Sequence, residues 1–167
     1  MRVISTVPGR RQRLFKLLKL QLMFLIISSG LCFYFVIYFF YKDVMIKSLA
    51  YLVGGFFFLA SYLMYKDFLD TIRKSRFNYY WNMFRQYSPP FGAYGSMYIL
   101  VSLILLIGDF LRGGYFALAV FLGIKGLFEV ALSKEIRSIM ALSYLHFELT
   151  GGNLDRLVIL DSSFHRV

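Results

Sequence analysis

Cysteine and histidine are nearly absent from this sequence, which holds one Cys and two His in 167 residues. A single cysteine, Cys32, excludes a disulfide within the chain, and there is no Cys/His spacing typical of a metal site. The histidines, His146 and His165, have no carboxylate partner at a catalytic spacing, and no glycine-rich stretch carries the Lys and Ser or Thr of a P-loop. We therefore expect no catalytic, cofactor-binding or metal-binding residues, an inert buried thiol at Cys32, and no enzymatic activity.

Acidic residues are also scarce, with nine Asp and Glu against 19 Lys and Arg, and the formal net charge is +10. In a soluble domain such a balance would indicate a nucleic-acid partner. Here the basic residues flank apolar segments, where they set the orientation of membrane spans. No stretch is long enough to build a soluble domain with a basic face, so we expect no nucleic-acid partner.

Apolar and aromatic residues are what the sequence has in excess. They reach 59% and 20% of the chain, whereas a soluble domain is roughly 45–50% apolar. A membrane span needs about 20 mostly apolar residues, and in lipid it must be a helix because its backbone polar groups have no other partners. The sequence thus predicts an all-α integral membrane protein with four transmembrane helices in two hairpins, 20–65 and 93–133. The predicted spans are 20–41, 44–65, 93–111 and 115–132.

We expect the first span to be a retained helix rather than a cleaved signal peptide. Its apolar run is longer than the roughly 7–15 residues of a signal peptide, and no small-residue cleavage site follows it.

Three further segments lie outside the predicted hairpins: a basic N-terminal lead-in at 1–19, a basic aromatic interfacial loop at 66–92, and a C-terminal tail at 134–167. Trp and Tyr in the loop favour the headgroup layer of a membrane. Pro89 and Pro90 predict the end of any helix there. In the tail, the glycines of 151–153 predict the end of a continued fourth helix.

The distribution of Lys and Arg predicts the orientation of the chain. The N-terminal lead-in holds six and the middle loop five, against Lys42, Lys47 and Arg112 at the opposite ends of the spans. By the positive-inside rule, both termini and the middle loop face the same, positive-inside compartment. This places the protein in a bacterial inner membrane or a mitochondrial inner membrane.

The lead-in alternates basic and apolar residues over 10–19. One interpretation is a contact with anionic lipid headgroups, in which each Lys or Arg near the surface contributes about 1 kcal/mol. The other is a helix start that simply obeys the positive-inside rule, and the two can hold together. The candidate lipid-contacting residues are Arg10, Arg11, Arg13, Lys16 and Lys19.

Two charges, Lys125 and Glu129, interrupt the fourth apolar segment. Charges within a span usually face protein or water, and at positions i and i+4 of a helix the two can pair. Three interpretations remain: an ion or proton relay, a structural or inter-subunit charge pair, and snorkelling to the interface.

Glycines within the spans predict close approaches between helices. Some lie in mid-helix patches of small residues, and others flank Lys125. The candidate helix-packing residues are Gly30, Gly54, Gly55, Gly123 and Gly126.

The arrangement resembles ATP synthase protein I, a four-span membrane protein that is made alongside bacterial ATP synthases. The similar residues are "RLFKLLKLQL" at 13–22, "SGL" at 29–31 and "GGFFFL" at 54–59, followed by a basic loop and a second hairpin. The segment 92–97, "GAYGSM", lacks the Glu and Lys that the family often carries near the start of helix three, and the tail beyond Lys134 is additional. The resemblance implies an assembly factor of the membrane rotor ring with no catalytic residues.

The sequence as a whole predicts a non-enzymatic subunit or assembly factor of a larger membrane complex, with lipids and other integral-membrane subunits as partners. The alternative is an ion- or proton-transport component in which Lys125, Glu129 and Asp109 belong to one path. A membrane enzyme is a third class, which the scarcity of clustered polar side chains disfavours.

Overall fold

The computed structural model describes residues 6–74 and 77–149, with side chains over 12–70, 91–110 and 113–139. The prediction of an all-α fold is confirmed, and the helices pack as two pairs, α1 with α2 and α3 with α4. Each helix contains a stretch long and apolar enough to cross a membrane: Gln12–Tyr41, Met45–Asp70, Phe91–Phe110 and Phe116–Ile139. The described residues form α1 (Thr6–Tyr41), α2 (Met45–Lys74), α3 (Phe77–Arg112) and α4 (Phe116–Leu149).

Both hairpin turns rely on residues with positive φ. Asp43 has φ 57° between α1 and α2, and Gly113 and Gly114 have φ 64° and 102° between α3 and α4. Asp tolerates the left-handed region better than most side chains, and glycine enters it without a steric penalty. The turns are therefore short enough to keep each pair of helices antiparallel and adjacent.

A seven-residue repeat of buried positions runs along α1. Alternate steps of four and three residues are typical of helices that pack side by side at a small crossing angle. A second stripe with the same repeat lies on α4 and includes Leu132 and Ile136, and α1 packs against α4 to join the two hairpins. The positions of this repeat on α1 are Leu14, Leu18, Gln21, Leu25, Ser28 and Cys32.

Serine hydroxyls tie the helices of each hairpin together. In the first hairpin, the hydroxyl of Ser29 donates a hydrogen bond to the carbonyl of Gly55 at 3.0 Å. In the second, the hydroxyl of Ser102 donates to the carbonyl of Ala119 at 2.7 Å. Such bonds hold helices together in lipid, where a polar side chain has few other partners.

Aromatic side chains of α2 also contact the second hairpin. Phe57 of α2 meets Tyr98 of α3 at 5.5 Å between ring centroids, and Phe58 meets Phe121 of α4 at 6.1 Å. The Tyr51 hydroxyl donates to the carbonyl of Gly114 at 3.1 Å. This bond joins the beginning of α2 to the turn of the second hairpin.

The tip of the first hairpin lies beside the turn of the second. Gly114 accepts a hydrogen bond from Tyr51, and a Cβ on Gly114 would lie 2.6 Å from Nζ of Lys47, so the first two turns of α2 flank that turn. Large apolar side chains are exposed there, including Tyr41, Met45 and Ile46.

The prediction that Pro89 and Pro90 end a helix is wrong, because α3 runs continuously from Phe77 to Arg112. Inside a helix a proline removes a backbone donor and crowds the carbonyl four residues earlier, but its φ is near the helical value, so a helix can continue through it at a cost in stability. The middle segment is therefore helical on both sides of residues 75–76, which join α2 to α3. The predicted stop at 151–153 lies outside the described residues.

Candidate functional site

Lys125 and Glu129 lie side by side in α4, within the span Phe116–Ile139. The Lys125 ammonium donates a hydrogen bond to Glu129 Oε1 and forms an ion pair with it. Only 1% of Lys125 and 2% of Glu129 is exposed. Both side chains point into the protein because they occupy the α4 stripe that faces the first hairpin, four residues apart on one helical face.

Three aromatic rings surround the ammonium group of Lys125. Its Nζ lies 4.1 Å from the ring centroid of Tyr98, 5.2 Å from that of Phe57 and 5.6 Å from that of Tyr65. Within about 6 Å the negative face of an aromatic ring attracts a cation, and more strongly where water is excluded. The rings come from α2 and α3, so three helices enclose the charge.

Tyr65 connects the pair to α2. Its hydroxyl donates to Glu129 Oε1 at 2.7 Å, and its ring stacks on Phe91 of α3 at 5.6 Å. Glu129 Oε1 thus accepts hydrogen bonds from both Lys125 and Tyr65. Hydrogen bonds to a charged acceptor are stronger than neutral ones, so the Tyr65 hydroxyl adds to the contact between α2 and the pair.

Two neighbouring polar groups have no hydrogen-bond partner among the described residues: both atoms of the Gln21 amide, and Glu129 Oε2. Gln21 is completely buried and lies beside the Tyr65 hydroxyl, but its amide atoms do not reach hydrogen-bond geometry. Buried polar groups are usually paired. Gln21, Tyr65, Lys125 and Glu129, which we call the polar cluster, therefore join α1, α2 and α4 around an incompletely bonded centre.

The polar cluster lies close to one end of the spans. Gln21 is two residues from Lys19, and Tyr65 immediately precedes Lys66, both of which are exposed. Toward the hairpin turns the core becomes apolar, with Phe24 against Phe121 at 6.4 Å. The cluster is thus nearer the basic end of the protein, and buried apolar side chains, among them Leu18 and Ile136, close it on that side as well.

Asp109 is far from the polar cluster. Its Oδ1 accepts a hydrogen bond from the backbone N–H of Tyr115 at 2.5 Å, which places it at the turn between α3 and α4. Lys125 lies ten residues further along than Tyr115, or about 15 Å along the helix axis. The structure brings Lys125 and Glu129 together, but Asp109 does not join them.

The glycines singled out from the sequence differ in their surroundings. A Cβ on Gly126 would lie 2.6 Å from the carbonyl oxygen of Gly95, so α3 and α4 touch through their backbones. A Cβ on Gly123 would meet Ser102, one on Gly54 would meet Leu118, and one on Gly55 would meet Phe33. In contrast, Gly30 is exposed and a Cβ there would have no described atom within 4 Å.

Residues 6–19 of the basic lead-in form the first turns of α1. Arg13, Lys16 and Lys19 are exposed, while Leu14 and Leu18 between them are buried. The alternation of charge and apolarity therefore separates a basic outward face of the helix from an apolar face that packs in the protein core. The side chains of Arg10 and Arg11 lie outside the described residues.

Sequence reasoning missed the partners of the charge pair and the facing glycine Gly95. The seven-residue repeat of α1 contained a usable signal, because it places Gln21 at a core position inside an apolar run. Phe57, Tyr65 and Tyr98 carried no comparable signal, since aromatic residues are common throughout the chain.

The described residues contain no group of three or more His, Cys, Asp or Glu side chains that could hold a metal ion. Cys32 is a free, buried thiol, 3.7 Å from where a Cβ on Gly54 would lie. The chain matches no family model, and no curated protein or solved structure was found that matches it. What the geometry establishes is a multi-pass, four-helix membrane protein with a buried charge pair.

Proposed function

We propose that this protein is a non-enzymatic subunit or assembly factor of a larger membrane complex, in which it contacts other integral-membrane subunits. The observation that carries the proposal is the position of Gly30, exposed in the middle of α1 with open space around it. Glycine weakens a helix by about 0.5–1 kcal/mol relative to alanine. Small residues on a membrane helix are where another helix can pack closely.

The small buried fraction of α3 supports the same proposal. Only 17% of its most apolar stretch is buried within the protein, the lowest value of the four spans. Its exposed face carries Ser96 and Gly108 among large apolar side chains. A Cβ on Gly108, as on Gly30, would have no described atom within 4 Å. The outward faces of α1 and α3 are therefore apolar, and each has room for a neighbouring helix.

The buried pair has a structural role in this proposal. Lys125 and Glu129 neutralise one another inside the chain and hold the hairpins in a fixed relation, which leaves the outer faces of the protein for partners. The resemblance to ATP synthase protein I suggests one such complex, the membrane rotor ring, and a bacterial or mitochondrial inner membrane as the location. In this role the protein needs no cofactor and no nucleic-acid partner.

A photo-crosslinking amino acid at Ile27, next to Gly30 on the exposed face of α1, tests the proposal in native membranes. We expect adducts with another membrane protein, which mass spectrometry would identify, and loss of those adducts when Gly30→Leu fills the space. A probe at the exposed Leu63 of α2 is the control. If both positions yield lipid adducts alone, the subunit role is wrong. Rotor-ring subunits among the adducts would support the ATP-synthase proposal. Adducts with unrelated subunits would contradict it and would identify a different complex.

An ion- or proton-transport component is the second candidate function. The unpartnered Glu129 Oε2 and Gln21 amide beside a buried charge pair favour it, because polar groups within spans mark ion pathways in many transporters. Proton flux into liposomes containing the purified protein would decide between the two. A proton flux that the Glu129→Gln variant abolishes would support transport. A wild-type flux equal to that of empty liposomes would exclude transport by the protein alone and support the structural role.

A further inference from the structure

The polar cluster contains more hydrogen-bonding groups than the protein itself satisfies. Gln21 offers two donors and an acceptor from a fully buried amide, and Glu129 Oε2 offers an acceptor. Both groups flank the same Tyr65 hydroxyl, which bonds to the other oxygen of the carboxylate. Leaving such groups unbonded in a membrane interior is costly, and ordered water commonly completes buried sets of this kind.

We propose that a bound water molecule occupies the polar cluster, accepts a hydrogen bond from the Gln21 amide nitrogen and donates one to Glu129 Oε2. The water links α1 to α4 and completes the hydrogen bonds of the charge pair. This inference does not depend on the membrane complex proposed above.

The chemistry of the unpartnered groups selects water over a metal cation. A cation would bind the two oxygens but leave the Gln21 amide nitrogen without an acceptor, and it would lie close to the Lys125 ammonium. Water can accept from nitrogen and donate to oxygen at the same time. It therefore fits a mixed donor and acceptor set that already carries one positive charge.

Apolar side chains separate the polar cluster from both ends of the bundle. Leu14 and Leu18 are buried on the side of the basic end, and Phe24, Phe58 and Phe121 close the core on the opposite side. A water in the cluster is thus enclosed, and its hydrogen bonds to Gln21 and Glu129 hold it there.

Water-edited solid-state NMR on the full-length protein in liposomes tests the proposal. Magnetisation transferred from water should reach the side-chain carboxyl carbon of Glu129 and the amide carbon of Gln21 several-fold faster than the side chain of Cys32. Cys32 is the control because it is equally buried on the same stripe of α1. Transfer to Glu129 and Gln21 at the slow rate of Cys32 would overturn the proposal.

A variant and a change of salt distinguish bound water from two other sources of the signal. In Gln21→Leu, whose folding is checked by thermal unfolding, the water loses a partner and we expect transfer to Glu129 to fall by at least half. An unchanged signal would instead come from proton exchange at the Tyr65 hydroxyl and would overturn the proposal. Replacing sodium and potassium by choline should leave wild-type transfer unchanged. Loss of transfer in choline would identify the occupant as a metal cation.

Discussion

At the scale of single residues, the structure explains how two charges can be placed inside a membrane span. An unpaired Lys or Glu at this depth costs at least about 2.5–3.5 kcal/mol on insertion scales. Lys125 and Glu129 avoid this by pairing with one another, and aromatic rings and the Tyr65 hydroxyl contribute the contacts that water would otherwise supply. The pair is thus stable only as a pair.

Breaking the pair should therefore be worse than removing it. We expect Lys125→Leu or Glu129→Leu alone to lower the free energy of unfolding by about 3–5 kcal/mol, because each leaves an uncompensated buried charge. The double variant should recover part of that loss, since two apolar side chains of similar volume can occupy the same space. Thermal unfolding in detergent and the level of assembled protein in the membrane are the measurements.

Lys134→Leu is the matched control for these variants, because Lys134 lies on the same helix but is exposed. It should change the stability by less than about 0.5 kcal/mol. If the single variants behave like this control, the charge pair has no structural role.

The hydroxyl of Tyr65 can be tested apart from its ring. Tyr65→Phe keeps the stacking on Phe91 and the contact with Lys125, but removes the donor to Glu129. We expect a loss of about 1.5–3 kcal/mol, which is typical of a hydrogen bond to a charged group. Tyr34→Phe, at an exposed tyrosine of α1, should have almost no effect. Equal effects of the two variants on thermal unfolding would argue against the bond.

At the scale of helices, the second hairpin depends on backbone contact between α3 and α4. The facing glycines Gly95 and Gly126 allow this contact, and the Ser102 hydroxyl bonds across the same interface. Gly126→Ala should separate the helices, because its Cβ would lie 2.6 Å from the Gly95 carbonyl. We expect a loss of stability of about 2 kcal/mol or more, since overpacking a close contact typically costs about 1–3 kcal/mol.

Gly30→Ala is the informative comparison for that variant. It adds the same methyl group to a membrane helix but meets no described atom within 4 Å. The isolated protein should be unchanged or gain about 0.5–1 kcal/mol from the better helix former. A marked loss of stability in the purified protein would show that Gly30 is needed within the chain rather than at a partner.

Much of the helical arrangement could be predicted from the sequence, because the length of apolar runs and the short charged or glycine-containing turns are local signals. The third span, predicted at 93–111, is found at Phe91–Phe110. The enclosure of Lys125 could not be predicted. Phe57, Tyr65 and Tyr98 lie on other helices, and they approach Lys125 only because the helices pack with these particular faces toward one another. The continuation of α3 through Pro89 and Pro90 could not be predicted either, because the conformational preferences of proline indicate the end of a helix.

At the scale of the whole molecule, the asymmetry of charge predicts how the protein lies in the membrane. We expect both termini and the α2–α3 connection to face the positive-inside compartment. Single cysteines at Ser5, Ser75 and Ser162, each in a Cys32→Ser background, would be labelled by a membrane-impermeant reagent from one side only. Labelling of Ser5 and Ser75 from opposite faces would contradict the four-span topology.

The apolar tip of the first hairpin makes the protein sensitive to the thickness of the surrounding bilayer. Tyr41, Met45 and Ile46 are exposed there, beside the turn at Gly114. A bilayer thick enough to cover these side chains must also cover that turn, whereas a thinner one leaves them in the headgroup layer. Lipids must thicken around the tip, or the bundle must tilt, at a cost of fractions of a kcal/mol per ångström of mismatch. Acyl-chain length therefore becomes a variable that favours one membrane, or one region of a membrane, over another.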